Sequence, residues 1–67
     1  MKTVTRTEYY DFIKVQRSEV SQGIKIVRSI VFRFYDEHIV EKVFIFDVLR
    51  AQAVTYNGYE SYFITEN

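Results

Sequence analysis

Apolar side chains return every three to four positions in the first third of this chain. At about 100° per residue, Tyr9, Phe12, Ile13 and Val20 fall on one arc, with Gln16 among them. Asp11, Lys14, Ser18, Ser21 and Gln22 fall opposite. The spacing predicts a helix over about 6–21. Thr5-Arg6-Thr7-Glu8 reads as its capping box: the Thr5 hydroxyl can accept from the Glu8 N–H, and the Glu8 carboxylate can accept from the Thr5 N–H. Gly23 suits the position just past the end, where a left-handed residue closes a helix. Local propensity pulls the other way, because Tyr-Tyr-Asp-Phe-Ile-Lys-Val favours strand.

After Gly23 the period drops to two. Ile24, Ile26, Ile30, Phe32 and Phe34 share one face, interrupted by Arg28, and Lys25, Ser29, Arg33 and Tyr35 share the other. This predicts a strand over about 24–35. Asp36-Glu37-His38 is polar and turn-like. "IVEKVFIFDV" then resumes as a strand over about 39–48. Residues 48–56 admit two readings. Asp47 could cap a short second helix, or a strand over 51–56 turns at Asn57-Gly58 into a strand over 59–65. The Asn-Gly step between β-formers favours the hairpin, since both residues take positive φ at low cost. In that register Tyr56 faces Tyr59, Val54 faces Ser61 and Ala53 faces Tyr62.

The expected fold is therefore α+β in one small domain, 1–67: an N-terminal helix packed on a four-stranded antiparallel sheet. The alternatives are a small all-β barrel and a second helix at 48–56. One helix covers one face of a sheet. Val43, Phe44, Ile45 and Phe46 are apolar in succession, and such a strand needs cover on both faces. A second copy of the chain would supply it, as would a sheet curled into a barrel.

Size sharpens this point. A core of 67 residues supplies only about 3–5 kcal/mol unless something staples it. With no cysteine and one histidine, His38, neither a disulfide nor a Cys/His zinc site is available. What remains is a ring-rich composition, 18% aromatic, and self-association, so a homodimer is expected.

Formal charge is zero, but residues 1–33 carry seven basic against three acidic side chains, and residues 34–67 carry two against six. Zero net charge argues against a general nucleic-acid binder. The absence of an apolar leader, of a membrane-length apolar run and of cysteine leads to an expected cytoplasmic location.

Catalytic chemistry finds little support. No serine stands in a Gly-x-Ser-x-Gly elbow, and two isolated glycines make no phosphate loop. Asp36, Glu37, His38 and Glu41 lie close in sequence, but acidic residues at a turn read as a solvated tip rather than a metal site. No enzyme activity, cofactor or metal is expected.

Two binding readings remain. Tyrosine and arginine are enriched at protein interface hot spots, and an open sheet edge can capture a partner strand. The leading expectation is a small interaction protein that binds and occludes another macromolecule, a regulator or inhibitor of the kind common in phages and mobile elements. Its candidate contact residues are Tyr35, Tyr56, Tyr59 and Tyr62, with Lys25 and Arg33. The alternative is a single-strand nucleic-acid binder, in which tyrosines stack on bases beside a cationic strand face. A third reading is a structural protein that only assembles with itself. Phenylalanines at period two are read as core.

Overall fold

Both ends of the helix are built as the local chemistry dictates. The computed structural model describes residues 1–35 and 37–65, Tyr35 by its backbone alone. The Thr5 N–H donates to Glu8 Oε1 at 2.9 Å, and the Glu8 N–H donates to Thr5 Oγ1 at 3.2 Å. Helix α1 then runs Arg6–Ser21. Gly23, at φ 76°, closes it in a Schellman motif. Its N–H donates to the Val20 carbonyl at 2.9 Å, and that of Ile24 to the Glu19 carbonyl at 3.0 Å.

Around this helix lie strands β1 (Lys2–Val4), β2 (Val27–Tyr35), β3 (His38–Ile45), β4 (Val48–Tyr56) and β5 (Tyr59–Ile64). They form one antiparallel sheet in the order β1-β5-β4-β3-β2. The fold is α+β, but the sheet has five strands, not four. The extra strand is Lys2–Val4, which pairs with Ile64–Tyr62 at the edge of the sheet. Residues 48–56 are strand, and the sheet stays open, so neither the second helix nor the closed barrel is formed.

The Asn57-Gly58 hairpin has the expected register, with Tyr56 opposite Tyr59 and Ala53 opposite Tyr62. The β3–β4 turn was not visible in the sequence pattern. Ile45 pairs with Val48, so β3 stops short of residue 48. Phe46 and Asp47 make the turn at φ 49° and 64°, the positive values that a type I′ turn demands. A bulky residue there is strained. The Phe46 N–H donates to the Ile26 carbonyl at 3.0 Å, and Arg28 Nη2 meets Asp47 Oδ1 at 3.0 Å. These contacts hold the turn where its own residues would not.

The core lies between α1 and one face of the sheet. Tyr9, Val43, Ala51 and Tyr62 form its buried centre, flanked by Val4, Phe12, Ile13, Val27, Ala53 and Ile64. The Tyr9 hydroxyl donates to Glu41 Oε1 at 2.8 Å. Val20, expected on the inner arc, is exposed.

Candidate functional site: the bare face of the sheet

Strand alternation sends every second residue to the side away from α1. The ladder pairs Phe32 with Val40, Val40 with Val54, and His38 with Tyr56, and these positions share that side. No element of the described chain covers it. A register shift between Arg33 and Tyr35 brings Phe34 onto it beside Phe32.

The result is a continuous row of rings across three strands. Phe32 and Phe34 lie nearly parallel, with centroids 6.4 Å apart. Phe34 sits 5.0 Å from His38, and His38 meets Tyr56 edge-on at 5.1 Å. Phe34 and Tyr56 are each 56% exposed, and Tyr59, opposite Tyr56, is 80% exposed. Val40 is the buried floor of this face. The expectation that the phenylalanines at period two are core fails here, since the one helix lies on the other side.

Two strand cations lie on the bare side, one of them paired with Asp47. Lys42 Nζ lies 5.8 Å from the Phe32 ring centre, and Arg28 pairs with Phe44 on the same side. The strand carboxylates point the other way. Glu41 accepts from Tyr9, and Glu60 accepts from the Tyr62 hydroxyl at 2.6 Å. Burial, reinforced by the bond to Glu41, pushes the Tyr9 hydroxyl well above the usual tyrosine range. The bond to Glu60 pushes Tyr62 up to about 12.

The candidate contact residues separate. Tyr56 and Tyr59 are on the bare face. Tyr62 is 8% exposed and packs 5.1 Å from Tyr9, so it is a core residue and no contact point. Arg33 is exposed but pairs with Ile39 on the helix side of the ladder. Lys25 precedes β2, bonded to Gln16 and paired with Glu19 at 2.7 Å. Lys25 and Arg33 therefore do not share a strand face with the rings. The Tyr35 side chain lies outside the described residues. So does Asp36, and Glu41 lies across the sheet from His38, which divides the acidic cluster seen in the sequence. Sequence reasoning missed Phe32 and Phe34 as exposed, and half-buried His38 and Lys42 as their neighbours on this face. Their common parity across three strands was the available signal.

No protein family, curated protein or solved structure matches the chain. No helix among the described residues is long and apolar enough to cross a membrane.

Proposed function

We propose that this protein is a non-enzymatic interaction module that binds a protein partner stoichiometrically and works by occlusion. It acts as a homodimer in the cytoplasm, in the manner of the small regulators and inhibitors of phages and mobile elements. The observation that carries this reading is the ring row Phe32–Phe34–His38–Tyr56, set on an antiparallel frame with no covering element. Rings on a rigid frame lose little conformational entropy on binding, which is why they anchor interfaces. Apolar patches of this kind mark interaction sites on small proteins. Lys42 and the Arg28–Asp47 pair form a polar rim, and the Lys42 cation favours a carboxylate opposite. The test is quantitative capture from cell extract with the parent chain and with Tyr56→Ala/Tyr59→Ala and Phe34→Ala. Specific partners lost from both variants, with circular dichroism unchanged, support the reading. Equal capture by folded variants overturns it.

One observation favours a second reading, single-stranded nucleic acid. Lys42 stands over the Phe32 ring on the bare face, and the strand carboxylates Glu41 and Glu60 point away from it. Two phosphate contacts give a salt slope of about −1.4. Oligonucleotide affinity with that slope, lost in Lys42→Ala, would replace the protein-partner reading.

A further inference from the structure

The two edges of the sheet are unequal. One is β1, three residues long. The other is β2, nine residues long, with no strand beyond it among the described residues. Alternate backbone N–H and C=O groups along β2 therefore face outward. It exposes apolar side chains on both sides, Ile30, Phe32 and Phe34 on the bare face and Val31, 52% exposed, on the helix side, with Arg28, Ser29 and Arg33 between them. A long apolar edge of this kind pairs with another strand unless it is protected.

Surface area points the same way. A compact chain of 8.1 kDa exposes roughly 4,500 Å². This one exposes 4955 Å². Two copies hiding that excess would bury roughly 900 Å², close to the lower bound of about 1,000 Å² for a specific interface.

We propose that two copies pair antiparallel through their β2 edges, with Val31 on the twofold axis, to form one continuous ten-stranded sheet. The inference rests on the homodimer reading above and adds the surface and the register. Strand length and charge together select the register: Val31 is the midpoint of β2, so centring there overlaps all nine residues, and charge excludes the one-residue slip. With Val31 opposite its own copy, Ile30 meets Phe32, Ser29 meets Arg33, and no two cations are opposed. A slip of one residue, with Ile30 opposite Val31, sets Arg28 against Arg33 twice, which is destabilising across a ladder. The even register also maps each bare face onto the same side. Both helices then lie on one side of the dimer, and the two ring rows join on the other.

The chain has no cysteine, so Val31→Cys tests the register directly. Opposed residues in an antiparallel ladder have Cα atoms about 4.5–5.5 Å apart, inside the range a disulfide spans. Under mild oxidation, Val31→Cys is expected to give a covalent dimer on a non-reducing gel. Tyr59→Cys, exposed but far from β2, is the control and should stay monomeric on the gel. Val31→Lys places two ammonium groups together and should shift sedimentation from dimer to monomer with circular dichroism unchanged. A parent dimer that neither cross-links through Val31→Cys nor dissociates with Val31→Lys overturns edge pairing while leaving the homodimer reading intact. If it then dissociates with Phe34→Ala, the two bare faces meet instead. A parent chain that sediments as a monomer overturns both.

Discussion

Tyr9 on the helix and Glu41 on β3 are joined by a 2.8 Å hydrogen bond that spans 32 positions of sequence. It ties α1 to the sheet face that also carries Val43, Ala51 and Tyr62. Hydrogen bonds to charged groups contribute about 1.5–3 kcal/mol. Tyr9→Phe is expected to cost that much in urea unfolding, because it leaves the half-buried carboxylate without this donor. Tyr9→Ala adds a core cavity and should cost about 3–5 kcal/mol.

The same tyrosines set an alkaline limit. Tyr9 is raised by burial and by Glu41, and Tyr62 is raised to about 12 by Glu60 and by burial. A raised folded value means the folded state holds its proton more tightly. Their contribution is complete below the unfolded tyrosine value of about 10 and is lost as pH rises through the folded values. Thermal unfolding should be flat in this respect below pH 10 and fall above it. Tyr62→Phe should flatten that fall.

At the other end of the scale stands the capping box. The Thr5 backbone N–H, helped by its hydroxyl, holds the Glu8 carboxyl below the usual carboxylate range. That stabilisation is present above the unfolded value and lost as pH falls through the lowered one. Thr5→Ala is expected to cost about 1 kcal/mol at neutral pH and to weaken the acid dependence, read by chemical denaturation at several pH values.

Phe46 and Asp47 offer a gain rather than a loss. Positive φ at a non-glycine residue costs on the order of 1–3 kcal/mol. Phe46→Asn with Asp47→Gly supplies the pair that a type I′ turn prefers. The exposed Arg28–Asp47 pair given up is worth about 0.2–1 kcal/mol. The double variant should melt several degrees higher. A lower melting temperature would show that Phe46 is held by packing and not merely tolerated.

How much of this was legible depended on range. Thr5–Glu8, Gly23 and Asn57-Gly58 act through neighbours a few residues away, and each is where the sequence places it. Lys2–Val4 is too short to show periodicity and becomes a strand only because β5 lies beside it. The Phe46–Asp47 turn is imposed by the β2–β3–β4 register against its own residues. The ring row belongs to the same class of long-range fact. Parity groups Phe32, Phe34, His38 and Tyr56, but which parity is buried is decided by where Tyr9 finds Glu41. Tyr62 was misplaced for that reason: it lies three residues from Tyr59 and so on the opposite side.

The pairing of Lys2 with Ile64 bears on how the chain is made. Synthesis runs from the N-terminus, so β1 is made before the other four strands, yet among the described residues its neighbour in the sheet is β5, the last of the five. The meander from β2 to β5 pairs each strand with the one just completed, while β1 waits for nearly the whole chain. Placement of β1 in the sheet therefore waits for synthesis of β5.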